Sequence, residues 1–231
     1  MNYATQVAAI CLSASLAAAP AAGKDRLFLS GGEASDEEYY TYVGLIAPGP
    51  GWKHGKGLFQ RYWLDRFGYE YVGGPGVVKA KAWGGEAALG YVTPTPGGWW
   101  SASAGLRYTD TSLSPSDPEA SARGGQASAK FQLEVDQEVA PDWRVGAIGS
   151  YTLKQSQYWG RLRVTRRVAA NWSVAGEAVA NGNDETDSIA SGLVVIWQPP
   201  STSWTLGLKS GYRHQDTADG MYAGIELGAA F

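Results

Sequence analysis

The last eleven residues of the chain alternate between two kinds of side chain. One face of this segment is apolar and consists of Ala223, Ile225, Leu227, Ala229 and Phe231. The other face is polar or small and consists of Tyr222, Gly224, Glu226, Gly228 and Ala230. A period of two with one apolar face is what a β-strand needs when it separates lipid from a wet lumen. The segment therefore predicts a transmembrane strand.

Turn-forming residues divide the preceding chain into similar segments. Twelve strands are predicted, near residues 26–34, 39–47, 58–70, 77–92, 99–109, 124–138, 143–154, 157–169, 172–181, 188–197, 204–214 and 221–231. An even number returns both chain ends to one side, as in antiparallel barrels of the bacterial outer membrane. Odd-numbered turns are then extracellular and even-numbered turns periplasmic. The terminal aromatic residue, Phe231, is typical of the signal that the barrel-assembly machinery reads, which makes that machinery an expected partner.

The two sets of turns differ in composition, in agreement with this orientation. Seven of the ten tryptophans lie at or beside the proposed periplasmic turns, which predicts an aromatic girdle at one membrane interface. These residues are Trp52, Trp99, Trp100, Trp143, Trp172, Trp197 and Trp204. The opposite turns are acidic, and the longest of them is 110–123. We therefore expect short periplasmic turns and acidic extracellular loops.

The N-terminal segment differs from the rest of the chain. Residues 1–22 lack charged side chains and end in small residues, which predicts a cleaved export signal followed by a barrel over 23–231. Mean hydropathy is only −0.24 because alternating strands contain no long apolar run. The net charge of −3 argues against a nucleic-acid partner. For an outer-membrane barrel, the predicted partners are the lipid and lipopolysaccharide of a Gram-negative outer membrane.

Two predicted strands depart from simple alternation. Segment 77–92 changes phase at Gly84–Gly85, where a β-bulge would restore the pattern, and 188–197 is apolar on both faces. A soluble β-sandwich would also produce alternating strands. That alternative explains neither the terminal Phe231 nor the tryptophan-marked turns.

A ladder of basic residues is the main candidate for chemistry in the lumen. By parity, Trp159 shares one face with Arg161, Arg163 and Arg167. The ladder could guide an anionic sugar or phosphate through a pore. Alternatively, and in our preferred interpretation, inward carboxylates pair with it and fill the lumen with ion pairs. The other candidate lumen residues are Lys209, Arg213, Glu86, Glu134, Asp136, Glu177 and Glu226.

Other candidate groups predict neither catalysis nor a metal site. His54 lies in a glycine-rich turn and is expected to be solvated, whereas His214 shares its parity with Ser210. Four residues along a strand span roughly 13 Å, which is beyond hydrogen-bond reach. The segment 181–187 lacks the EF-hand spacing of a calcium loop. We predict no catalytic residue, metal or cofactor. The aromatic residues of 62–71 could stack on sugar rings or face lipid.

Several stretches of the chain resemble one known family. They are QRYWLDRFGYEY at 60–71, WWSASAGLRYTDTSL at 99–113, YWGRLR at 158–163 and EAVANGNDE at 177–185. Together they are similar to the cellulose biosynthesis protein BcsS family, and the resemblance covers nearly the whole mature chain. It implies an outer-membrane accessory to cellulose synthesis or export, with cellulose or the cellulose-synthase machinery as partner. It supplies no established catalytic residues.

The resemblance and the residues together leave several functions open. The barrel could be a conduit for exopolysaccharide or a scaffold that anchors the cellulose machinery. Because cellulose is neutral, the arginine ladder fits a modified or anionic substrate, or a closed lumen, better than simple cellulose conduction. An anion-selective or acidic-oligosaccharide porin is therefore the first alternative. A lipid-modifying barrel enzyme around His214 is the second.

Overall fold

The structure is a computed structural model of the chain, and it describes residues 26–52, 55–217 and 219–231. The predicted export signal at 1–22 and the turn residue His54 lie outside these ranges. Among the described residues, no helix combines the length and the apolar character that a membrane crossing requires.

Twelve β-strands account for most of the described chain. They are β1 (Leu27–Ala34), β2 (Tyr39–Pro48), β3 (Gly57–Gly73), β4 (Gly76–Thr95), β5 (Gly98–Ser114), β6 (Gly124–Ala140), β7 (Trp143–Thr152), β8 (Gln157–Ala169), β9 (Trp172–Gly182), β10 (Asp187–Trp197), β11 (Trp204–Gln215) and β12 (Asp219–Ala230). A short 3-10 turn, Lys154–Ser156, precedes β8. The predicted strand number and the order of the strands are confirmed.

The strands form a closed antiparallel barrel. Each strand pairs with its neighbours in the sequence, and β1 pairs with β12, so that Leu27 lies opposite Ala230. Closure gives every strand two hydrogen-bonded neighbours and leaves no sheet edge. The hydrocarbon interior of a bilayer requires this, because it offers no water to unpaired backbone groups. The predicted barrel fold is confirmed.

Side-chain burial follows the period of two around the barrel. In β12, Tyr222 and Glu226 point into the lumen and are both 2% exposed. Their neighbours Met221 and Ile225 point outward and are 65% and 49% exposed. The outward face is apolar because it contacts lipid, whereas the lumen receives the polar and small residues of the same strand.

The predicted bulge at Gly84–Gly85 is wrong. Strand β4 keeps one continuous register against both β3 and β5 across these glycines. The apparent change of phase arises because Lys79 and Lys81 point outward near the extracellular end of β4, above the apolar outward residues of the same strand. Register shifts occur instead near the periplasmic ends of β6 and β8, at Glu138/Ala140 and Arg167/Ala169.

Candidate functional site in the barrel lumen

An apolar cluster lies in the periplasmic half of the lumen. Its buried members come from seven strands and are Leu27, Leu29, Ile46, Phe59, Val92, Trp99, Ala175, Val194 and Ile196. Phe59 is 1% exposed, and Val92 and Val194 are 0% exposed. In an open, water-filled pore, inward side chains at this depth would touch solvent. The cluster is buried from solvent at this level, and it also explains why β10 is apolar on both faces.

Two of the seven predicted girdle tryptophans belong to this interior rather than to the membrane interface. Trp99 is a buried member of the apolar cluster, and Trp52 packs against it. The prediction for these two residues is wrong because their nearness to a turn does not determine which way they point. Trp99 and Trp100 are consecutive in β5, so their side chains must face opposite sides of the sheet.

The other five tryptophans lie on the outer face near the periplasmic end. Trp172 stacks on Trp197 with 6.1 Å between ring centroids, and Trp197 meets Trp204 edge-on at 5.5 Å. Trp100 and Trp143 are exposed on β5 and β7. This arrangement places amphipathic rings around the periplasmic end of the apolar band.

Above the apolar cluster, the predicted arginine ladder lies within a dense set of ion pairs. Four cations, Arg161, Arg163, Lys209 and Arg213, face four carboxylates, Glu33, Glu38, Glu177 and Glu226. We call this group the β8–β11 ion-pair cluster. Arg163 is fully buried, binds Glu177 and lies 3.0 Å from Glu226. Lys209 lies 3.3 Å from Glu226, and Arg213 lies 3.2 Å from Glu38.

A second group of ion pairs, which we call the β3–β6 ion-pair cluster, covers the facing wall. Its members are Arg61, Arg107, Lys130, Asp65, Glu86 and Glu134. Arg61 lies 2.9 Å from Glu86 and 3.7 Å from Glu134, and Lys130 lies 2.8 Å from Glu86. Arg107 donates two hydrogen bonds to Asp65, at 2.8 and 2.9 Å. The predicted lumen residues Glu86 and Glu134 thus pair with Arg61 and Lys130 and not with the arginine ladder.

The charges within the two clusters balance. Four cations face four carboxylates in the first cluster, and three face three in the second. Together the clusters carry no net formal charge. We did not predict Arg61, Arg107 or Lys130 as lumen residues. The alternation of β3 could have revealed Arg61 and Asp65, because both lie on the same face of the strand as Trp63.

Two predicted lumen residues lie apart from both clusters. Arg167 lines a small cavity of about 90 Å³ at the periplasmic end of β8, and no carboxylate of the described chain lies within ion-pair distance of it. Asp136 pairs with Arg144 of the neighbouring strand. The ion-paired part of the predicted ladder therefore ends at Arg163.

The extracellular half of the lumen holds a larger cavity, of about 180 Å³. Its floor includes Arg161 and Glu226 of the β8–β11 ion-pair cluster, and its upper lining includes Glu38, Asn183 and Thr186 of extracellular turns. Burial raises the pKa of the Glu38 carboxyl, even though Arg213 opposes this shift. We call this space the extracellular cavity.

Aromatic side chains form one wall of the extracellular cavity. They lie on β2 and β3 and are Tyr40, Tyr42, Trp63, Phe67 and Tyr69. Tyr42 stacks on Trp63 with 4.7 Å between centroids, and the Trp63 indole N–H donates a hydrogen bond to the Tyr40 hydroxyl at 3.0 Å. Gly44 makes room for this stack, since a Cβ there would lie 2.2 Å from the Trp63 ring. Of the aromatics predicted to contact sugar or lipid, Trp63, Phe67 and Tyr69 thus face the cavity.

Trp159 lines the cavity from the opposite side. It lies on β8, six strands away from β2 in a closed ring of twelve, and therefore across the lumen from the aromatic wall. The Arg161 guanidinium lies 5.7 Å from the centre of the Trp159 ring, which fixes the indole over the floor of the cavity.

The extracellular turn 115–123 is tied to the barrel mouth. Asp117 accepts a hydrogen bond from the Tyr71 hydroxyl at 3.1 Å, and Ala120 packs into a small apolar cluster with Tyr71. The Ser121 hydroxyl donates a hydrogen bond to Asp184 in the turn between β9 and β10 at 3.1 Å. These contacts hold the longest turn across part of the mouth instead of leaving it extended.

His214 lies on the outer face, away from the lumen. It contacts Asp219, and its cross-strand neighbour on β10 is Ile189. Ser210 points to the same outer face but lies four residues away along β11, where it pairs with Leu193. The histidine is thus not within reach of the serine that shares its parity.

A family model for cellulose biosynthesis protein BcsS matches residues 27–231, nearly the whole chain. The chain belongs to this family. A search of curated proteins finds no match. The family relation identifies the barrel as a component related to cellulose biosynthesis.

Solved structures similar to this BcsS-family barrel are outer-membrane proteins. The COG4313 outer membrane channel from Pseudomonas putida F1 matches with a TM-score of 0.59 and 10% identity, over 96% of this chain and 100% of that one. The KdgM porin in complex with disordered oligogalacturonate matches with a TM-score of 0.55 and 10% identity, over 89% and 99%. At this identity the likeness shows the fold, which supports location in a Gram-negative outer membrane.

Proposed function

We propose that this BcsS-family barrel is a non-enzymatic scaffold of cellulose biosynthesis whose lumen is closed. The observation that carries the proposal is the apolar cluster in the periplasmic half of the lumen. Phe59, Val92 and Val194 approach one another from separate strands and exclude solvent. A glucan chain would have to displace this packed layer in order to pass.

The ion pairs above this layer support the same conclusion. Arg163 and Glu226 are buried and satisfy each other at 3.0 Å, so opening the lumen here would expose several charges that are now paired. Separating buried ion pairs carries a large energetic cost. The scaffold would therefore act through its surfaces, by anchoring cellulose machinery at its periplasmic turns or its acidic extracellular rim.

The balance of charge argues against an anion-selective porin. Every cation of the predicted ladder that lies within the β8–β11 ion-pair cluster faces a carboxylate, so the wall offers an acidic oligosaccharide no excess positive charge. A conduit for neutral glucan is the stronger second candidate, because the aromatic wall of the extracellular cavity resembles a surface on which sugar rings stack. The apolar cluster below that cavity speaks against continuous passage.

Deletion of the gene in a cellulose-producing host tests the scaffold role. We expect altered placement or yield of cellulose, restored by the wild-type barrel, and recovery of cellulose-synthase components with a tagged barrel after mild solubilisation. A tagged outer-membrane barrel of unrelated function serves as the control for recovery. Unchanged cellulose in the deletion strain, together with partner recovery no greater than the control, would contradict the proposal.

A further inference from the structure

We infer that the extracellular cavity is a binding site for a neutral saccharide, namely one or two pyranose rings at the end of a glucan chain. This inference rests on the proposed function, because it assumes a closed barrel that serves cellulose biosynthesis. It adds a ligand and a location: the chain end would enter from the extracellular side and stop at the ion-pair floor.

Aromatic rings line two opposite sides of the extracellular cavity. Trp159 and the aromatic wall of β2 and β3 face each other across the lumen. Tyr40, Trp63 and Trp159 are all partly exposed, in contrast to the solvent-free apolar cluster below. Partly exposed rings on opposite sides of a cavity offer flat apolar surfaces to the C–H faces of a sugar ring.

Polar groups lie between these aromatic rings. On β3, Trp63, Asp65 and Phe67 follow one another along the inward face, so a carboxylate lies between two aromatic side chains. Asp65 is held in place by its bidentate pairing with Arg107 at 2.8 and 2.9 Å. A fixed carboxylate still has lone pairs that can accept hydrogen bonds from sugar hydroxyls.

Several polar atoms of the cavity lining lack hydrogen-bond partners among the described residues. The Arg161 Nη2 atom at the floor and the Thr186 hydroxyl at the roof are buried, and neither has a hydrogen-bond partner among the described residues. Buried polar groups are normally hydrogen-bonded, so a water molecule or a ligand hydroxyl would satisfy each of these atoms. Hydroxyl groups of a saccharide, which both donate and accept, suit an unpaired N–H and an unpaired hydroxyl alike.

The charged residues of the cavity lining constrain the charge of the ligand. Five cations and four carboxylates line the cavity, but each of the five cations lies in an ion pair. An acidic oligosaccharide would face Glu226, Asp65 and Glu38 and would find no unpaired cation among the described residues of the lining. The geometry therefore points to a neutral ligand.

Binding of cellotetraose to the purified barrel tests this inference, in a detergent that has no sugar headgroup. We expect saturable quenching of tryptophan fluorescence, with tetragalacturonate binding at least about tenfold more weakly. The Trp159→Ala variant should weaken cellotetraose binding about tenfold, which is the order of magnitude that one aromatic contact contributes. The Trp83→Ala variant is the matched control, because Trp83 lies on the outer face against Tyr108.

Two further variants keep the test independent of folding. Heat-modifiable gel mobility identifies folded barrels, and Asp65→Asn and Thr186→Val alter the polar contacts with little change in size. Each should weaken cellotetraose binding in a folded barrel. No saturable binding by folded wild type, equal binding by Trp159→Ala and Trp83→Ala, or a preference for tetragalacturonate would overturn the inference. A barrel that conducts no ions and binds no cellotetraose would overturn the inference alone, whereas one that conducts ions would overturn the closed scaffold.

Discussion

At individual positions, glycine makes room for the large side chains that fill the lumen. A Cβ on Gly90 would lie 2.2 Å from the Phe59 ring and 2.8 Å from the backbone oxygen of Ala102. We expect Gly90→Ala to lower the free energy of unfolding by about 1–3 kcal/mol, because overpacking forces neighbouring groups to move. Urea unfolding of the barrel in lipid measures this. Gly149→Ala is the control, since no atom lies within 4 Å of the added Cβ, and equal losses in both variants would contradict the account.

Arg163 is the residue on which the β8–β11 ion-pair cluster depends most. It is 0% exposed and contacts both Glu177 and Glu226. Replacing it by Met would leave two buried carboxylates with fewer partners, and we expect a loss of about 3–5 kcal/mol in the free energy of unfolding. The same unfolding assay applies to Arg166→Met, which removes an outward arginine from the same strand. A loss no greater than that of Arg166→Met would show that the cluster does not stabilise the fold.

His214 is expected to have no catalytic role. Its ring contacts Asp219 on the outer face, and its cross-strand neighbour on β10 is Ile189 rather than a serine. The His214→Ala variant should retain the cellulose phenotype of wild type, and neither protein should hydrolyse phospholipid in a detergent assay. Hydrolysis by wild type that disappears in His214→Ala would establish the lipid-modifying alternative instead.

At the scale of elements, the turn 115–123 owes its position to contacts with β3 and with the turn that follows β9. The Tyr71→Phe variant removes the hydrogen bond to Asp117 while it keeps the ring in its apolar cluster. We expect protease added to intact cells to cleave this turn several-fold faster than in wild type. Tyr212→Phe, on the outer face of β11, is the control, and equal cleavage rates in the two variants would contradict the role of this contact.

The strands themselves could be predicted because each one separates lipid from the lumen. In β12, lipid contact demands the apolar row that ends at Phe231, and this row is visible in the sequence alone. The extracellular ends of β3 and β5, at Gly73 and Ser114, were underestimated because lipid no longer imposes alternation there. Lys79 and Lys81, which point outward above the apolar band, were therefore misinterpreted as a change of phase.

The contents of the lumen could be predicted only in part. Parity identified Arg161, Arg163, Glu177 and Glu226 as inward residues, but pairing between distant strands determines which charges meet. The apolar cluster was missed because the lumen was assumed to be polar throughout. Trp99 was misplaced for a related reason. A tryptophan beside a turn can face either the interior or the membrane interface, and only its position in the alternation of the strand decides which.

At the scale of the whole molecule, the barrel has three layers along its axis. An apolar cluster lies in the periplasmic half, balanced ion pairs occupy the middle, and an aromatic-walled cavity lies towards the extracellular turns. The lower two layers are contributed by side chains from nearly every strand. This arrangement is what the proposed closed scaffold requires.

Single-channel recording in planar bilayers tests the closed lumen most directly. We predict that the wild-type barrel inserts without measurable conductance. The double variant Phe59→Ala/Trp99→Ala, which removes two large members of the apolar cluster, should conduct or leak and so shows that insertion has occurred. A stable conductance from wild type that matches the double variant would contradict the account, since the apolar cluster would then not close the lumen.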